Sequence, residues 1–167
     1  MQKLKIRTAL PKNNLFYKFH GLKFPNNVFI SQERKLLKPM VKLIANMHGD
    51  ETVGRELMLA LARYLLQNNG RDPRVTTILE KLDIHILPSL NPDGFENATK
   101  GVCSGYHIGT GRHNGNLVDL NRAFPSWDNL TLSQEELTAT AEPEVAAIID
   151  WVSTEQASLI LTQNWLI

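Results

Sequence analysis

A chain of 167 residues with 43% hydrophobic and 21% charged residues is long enough to bury a core and too apolar to be disordered or fibrous. Its formal net charge of +1 hides an asymmetry, because residues 1–40 hold nine Lys and Arg against the single acid Glu33 and the remainder is correspondingly acidic. The nine basic residues are scattered among aromatics and prolines without helical or motif spacing, which argues for a solvated basic segment of unclear structure and against a nucleic-acid-binding arm.

Cys103 is the only cysteine, which excludes an internal disulfide and leaves the redox compartment open. No apolar run reaches the length of a signal-peptide core or a transmembrane span, so the chain reads as soluble and not exported. The sequons Asn97-Ala98-Thr99 and Asn129-Leu130-Thr131 point the other way, and localisation stays unknown.

From residue 40 onward, strand and helix signals alternate in the manner of an α/β domain. Val41 to Asn46 reads as a buried strand. Thr52 to Asn68 reads as an amphipathic helix with Val53, Leu57, Leu61, Tyr64 and Leu65 as its apolar stripe, and Gly70 supplies the stop. Val75 to Lys81 is a short helix, and Ile84 to Leu87 is a second strand. Asn91-Pro92-Asp93-Gly94 is an emphatic turn signal. Residues 95–117 contain five glycines and few apolar residues, which predicts a long surface loop of the kind that carries function. Pro143 to Ser153 has a helix start, with Glu142 before the proline and Glu144 in the first turn, and Leu159-Ile160-Leu161 opens another strand.

The chemistry starts at His48-Gly49-Asp50-Glu51, where the first strand ends and the long helix begins. A His and a Glu three positions apart at such a junction can both face one ion at the carboxyl end of a sheet. Taken alone, the tetrapeptide is equally a turn histidine beside an acid placed favourably at a helix N-terminus. Three further blocks come after it: Leu87-Pro88-Ser89-Leu90-Asn91-Pro92-Asp93-Gly94-Phe95, then Gly111-Arg112-His113-Asn114, then Val118-Asp119-Leu120-Asn121-Arg122-Ala123-Phe124-Pro125.

Together these blocks resemble the M14 zinc metallocarboxypeptidases, in particular the subfamily of carboxypeptidases D, E, M and N. The resemblance covers about half of the chain, and its specificity lies in separated blocks occurring in the same order. It implies a partial zinc-carboxypeptidase fold, a mixed sheet flanked by helices, with residues 41–167 as the N-terminal part of the catalytic domain. It further implies that His48 and Glu51 are zinc ligands, that Arg112 polarises the scissile carbonyl, and that Asn121 and Arg122 grip the free carboxylate of a peptide or protein C-terminus. A planar guanidinium suits that last task on physical grounds alone, although Arg122 by itself is also compatible with a salt bridge to Asp119. Asp93 is the expected hydrogen-bond partner that orients His48.

A catalytic zinc takes three protein ligands and a water, and peptide hydrolysis also needs a carboxylate base. Relatives place a histidine followed by glycines after the strand corresponding to Ser158-Leu159-Ile160-Leu161, whereas here the chain reads Thr162-Gln163-Asn164-Trp165-Leu166-Ile167. His113 and His107 lie in the glycine-rich segment, where a mobile loop would have to be ordered to hold a metal rigidly; His85 lies within a strand and reads as a packed or edge-strand residue, and His20 is remote and unexplained. The expectation is therefore a truncated carboxypeptidase domain. Two functions compete: zinc-dependent release of C-terminal residues, Lys or Arg among them, and a non-catalytic product that binds peptide C-termini.

Overall fold

The computed structural model describes residues 5–7, 16–19, 22–25, 28–31, 38–102, 109–126, 131–154 and 159–163. These fall into two compact units, one carrying the strands with the first two helices and the other carrying residues 46–53 and most of the chain after residue 88. Cys103, His107, His20, Asn129 and residues 164–167 lie outside the described residues.

The strands are β1 (Lys5–Arg7), β2 (Phe16–Phe19), β3 (Leu22–Pro25), β4 (Val28–Ser31), β5 (Met40–Ala45), β6 (Asp83–Leu87) and β7 (Leu159–Gln163). One mixed sheet has the order β1-β4-β6-β5-β7, while β2 and β3 pair with each other. β5 runs parallel to both β6 and β7, with Val41 opposite Ile84 on one side and Leu159 on the other. β4 is antiparallel to β6, and β1 is antiparallel to β4. The basic segment thus contributes strands, a structure its charge pattern gave no sign of.

Two parallel neighbours cannot be joined by a tight turn, and the connection from β5 to β6 is made by α1 (Val53–Asn68) and α2 (Pro73–Lys81). Gly70 adopts φ +76° just beyond α1, a left-handed conformation that costs glycine nothing and stops the helix. Asp72 caps α2 by accepting from the Arg74 backbone N–H, and Pro73 occupies the first turn, where its missing N–H is harmless.

Ala45 of β5, Met58, Ala62 and Leu65 of α1, Val75 and Leu79 of α2, and Ile84 and Ile86 of β6 form the core. Burying a side chain such as Leu79 completely is worth about 1.5–3 kcal/mol. The buried face of α1 overlaps the stripe read in the sequence only in part: Leu65 is buried and Leu61 packs against the core as expected, Gly54, Met58 and Ala62 join them, while Leu57 and Tyr64 are 51% and 50% exposed. Small residues set that face, because they let the helix approach its neighbours, and a count of large apolar side chains passes over them.

In the second unit, α3 (Pro92–Asn97) stands where a turn was expected. Asn91 accepts from the Gly94 N–H as N-cap and Pro92 fills the first position, so residues typical of turns here begin a helix. Next come a single 3-10 turn (Leu120–Arg122), α4 (Gln134–Thr140) and α5 (Pro143–Thr154). α4 was not anticipated, although Ser133 and Glu136 form a reciprocal capping box at its start, a signal legible in the spacing. Among the described residues no helix is long and apolar enough to cross a membrane.

Candidate functional site

The segment after β5 opens with Asn46, which takes φ +57°, a left-handed conformation that asparagine tolerates better than most residues. The chain then turns through His48-Gly49-Asp50-Glu51, with the Glu51 N–H bonded to the His48 carbonyl at 3.1 Å. His48 and Glu51 are buried, and His48 Nδ1 lies 2.9 Å from Glu51 Oε1. The other ring nitrogen, Nε2, lies 2.9 Å from Asp119 Oδ1, across a sequence separation of 71 residues.

Arg112 is buried beside this pair. Its Nε and Nη2 donate to Asp119 Oδ2 at 3.1 and 2.9 Å, while its Nη1 lies 3.3 Å from His48 Nδ1 and 3.6 Å from Glu51 Oε1. Partial burial works to raise the Asp119 carboxyl, but the hydrogen bonds and charges of His48 and Arg112 outweigh it and hold the group below its ordinary range.

Asp119 also caps the 3-10 turn, its Oδ1 accepting from the Asn121 N–H at 2.9 Å. That cap fixes the backbone at Asn121 and Arg122, both of which are exposed. Among the described residues, the bond of the Arg122 side chain is a long one, 3.5 Å from Nη1 to the Asn121 carbonyl.

The structure therefore brings His48, Glu51 and Arg112 together and joins them to Asn121 and Arg122 through Asp119. The expected partner of His48, Asp93, is exposed in the first turn of α3 with its carboxylate beside Gly115. Asp119 takes that place instead, and the guanidinium it pairs with is that of Arg112. Nor are residues 95–117 a surface loop throughout, since Gly111, Arg112 and Asn114 are buried.

The segments bearing these groups meet at glycines. A Cβ on Gly49 would lie 2.0 Å from the Gly94 carbonyl carbon and 2.5 Å from the Gly111 oxygen, so the backbones touch where any other residue would separate them. Asn91 Nδ2 bonds the carbonyls of Met47 and Arg112, each at 3.2 Å, and so ties the His48 turn to the Arg112 segment.

The donor set suits a divalent metal at one edge. In the tautomer that puts the hydrogen on Nε2, facing Asp119, Nδ1 carries a lone pair 2.9 Å from Glu51 Oε1, and Glu51 Oε2 is buried without a hydrogen-bond partner among the described residues. Two lone-pair atoms facing each other at this distance repel unless a cation or proton lies between them. Among the described residues no group of three or more His, Cys, Asp or Glu is arranged to hold a metal ion.

The zinc carboxypeptidase family model matches residues 16–164. The chain is 43% identical over 133 residues to carboxypeptidase M of Mus musculus, covering 80% of this chain and 28% of that protein. It is 47% identical over 120 residues to carboxypeptidase D of Mus musculus, covering 69% of this chain and 8% of that protein. The fold is similar to that of a metallo-carboxypeptidase from Pseudomonas aeruginosa solved in complex with (2-guanidinoethylmercapto)succinic acid, with a TM-score of 0.58, 26% identity, and coverage of 85% of this chain and 31% of that one. The chain thus spans less than a third of the length of each of these proteins.

Proposed function

The chain belongs to the zinc carboxypeptidase family, and on that premise we propose that its second unit supplies the first two zinc ligands and the carboxylate-recognising residues of an enzyme that releases C-terminal residues from peptides or proteins. The observation that carries the reading is the buried His48–Glu51 pair, with Nδ1 and Oε1 at 2.9 Å and Oε2 without a hydrogen-bond partner among the described residues. In this reading Asp119 holds the His48 ring so that Nδ1 faces the ion, an arrangement that raises ligand basicity and fixes the tautomer.

Zinc, when bound, would polarise the scissile carbonyl and lower the pKa of a water. Arg112, already beside the pair, would steady the negative charge that develops on the carbonyl oxygen. Asn121 and Arg122, exposed on the 3-10 turn, would bind the peptide's terminal carboxylate, the guanidinium through two parallel hydrogen bonds. A terminal Arg or Lys is the residue to test first, since the Pseudomonas enzyme was solved with a ligand whose name carries both a guanidino group and a succinic acid.

A catalytic zinc takes three protein ligands, and hydrolysis a carboxylate base. The proposal assigns neither to a described residue, so its test separates binding from turnover. A second reading, recognition of C-termini without hydrolysis, draws support from the exposure of Asn121 and Arg122.

The test is the zinc stoichiometry and affinity of the 167-residue chain beside its His48→Ala variant, with release of C-terminal Arg or Lys from a short peptide measured in parallel. One zinc per chain, lost in the variant, supports the ligand assignment, and turnover would add the full enzymatic reading. Peptide binding without turnover selects the second reading. Zinc affinity unchanged by His48→Ala would overturn the assignment.

A further inference from the structure

We infer that Asn46 is a positioning residue for the metal-binding pair: its side-chain amide gathers the backbone carbonyls of the His48–Glu51 turn and thereby sets the distance between the two side chains. The inference rests on the reading of His48 and Glu51 as ligands, and it assigns a role to a residue that touches neither the imidazole nor the carboxylate.

Asn46 is fully buried, and its Nδ2 lies 2.9 Å from the His48 carbonyl and 3.1 Å from those of Gly49 and Glu51. One amide nitrogen with two hydrogens thus serves three convergent acceptors. Both candidate ligands have their own carbonyls in this set, so rotating either backbone unit would break a bond to Asn46. The amide's orientation is also fixed: three carbonyls, which can only accept, identify Nδ2, and Ser89 Oγ donates to Asn46 Oδ1 at 2.6 Å on the other side. At the other end, the Asn46 carbonyl accepts from the Asn91 N–H at 3.0 Å.

The chemistry demands asparagine at this point. Aspartate has the same shape but would present an oxygen to three carbonyl oxygens. Glycine would keep the φ of +57° and delete the amide. A longer or β-branched side chain would fail on the left-handed backbone before its polarity mattered.

The experiment uses the full chain in wild-type form and as Asn46→Asp, Asn46→Gly and Ser89→Ala, with folding checked by circular dichroism. The ring nitrogens of 15N-labelled His48, assigned by their loss in His48→Ala, report its tautomer and hydrogen bonding without any metal. Cobalt(II) titration then reports affinity and, through the visible spectrum, ligand geometry. Asn46→Asp and Asn46→Gly are expected to move the His48 ring signals, to weaken cobalt binding by about 10- to 100-fold, and to alter the spectrum. Ser89→Ala, which only frees the amide to rotate, is expected to give a smaller change of the same kind. His48 signals and cobalt spectra matching wild type in folded Asn46 variants would overturn the inference. Should Asn46→Asp not fold, Asn46→Gly and Ser89→Ala decide by the same criterion. A wild-type chain that binds no cobalt sinks the ligand reading, while the ring signals still judge the positioning of His48 by Asn46.

Discussion

In the strand-and-helix unit, Ala45, Ala62, Leu79 and Ile86 are buried to 2% exposure or less and pack as an apolar cluster. Around His48 the fully buried side chains include Asn46 and Asn91, whose amide hydrogens go to backbone carbonyls. The first region gains stability from area, which is tolerant of detail, and the second from direction, which is not. A site proposed to hold two ligand atoms at a set separation calls for the second kind of construction.

The comparison breaks most visibly at its two extremes. Leu79→Ala should cost about 2–5 kcal/mol, as core truncations do, while leaving zinc affinity within about twofold under conditions where the variant is folded. Gly49→Ala should cost about 3 kcal/mol by overpacking, because its new Cβ would meet backbone atoms of Gly94, Phe95 and Gly111, and it should abolish zinc binding as well. Urea denaturation and zinc titration of both variants check this. Equal damage to zinc binding from the two would mean that the site depends on bulk stability and not on the close approach of its segments.

Periodicity and punctuation made the first region readable. β5, β6, α1 and α2 lie within a residue or two of their expected bounds, and Gly70 ends α1 as its type suggests. On α1 the stripe holds at Leu61 and Leu65 and fails at Leu57 and Tyr64, because Gly54 and Ala62 mark the buried face by smallness. In the second region, motif blocks pointed to His48, Glu51, Arg112, Asn121 and Arg122, but not to how they are joined. Asp119 reaches His48 across 71 residues, and no local pattern distinguishes it from Asp93. The hydrogen bonds of Asn46 were likewise invisible, since the sequence places it simply as the last residue of a buried strand. Contacts set by tertiary structure leave no periodicity to find.

A smaller effect sharpens the contrast from the other side. Leu117 takes φ +63°, which is costly for a leucine, and its side chain is 58% exposed, so little packing compensates. Leu117→Asn is expected to stabilise the chain by about 1 kcal/mol, read as a higher urea midpoint, with zinc affinity unchanged. A lower midpoint would show that the leucine makes contacts worth more than the backbone strain.

The smallest expected effect concerns the carboxylates at the start of α5. Asn114 Nδ2 donates to Glu142 Oε2 at 2.8 Å and to Glu144 Oε2 at 3.1 Å, and Asn116 Nδ2 donates to Glu142 Oε2 at 2.8 Å. The bonds from Asn114 and Asn116 hold the Glu142 carboxyl below its ordinary 4.5, against a slight opposing effect of burial. A carboxyl with a lowered folded-state pKa binds its proton more readily when unfolded. Its contribution is therefore fully present above the unfolded value and lost as pH falls through the lower folded one. Glu142→Gln should then reduce stability by no more than about 1 kcal/mol near neutral pH. The gap from wild type should stay constant down to about pH 5 and close progressively below the ordinary 4.5, as urea midpoints across that range will show. A gap that persists at about pH 3 would mean that the glutamine fails on geometry and not for want of charge. Directional hydrogen bonding would then govern this outer contact as it governs the turn at His48.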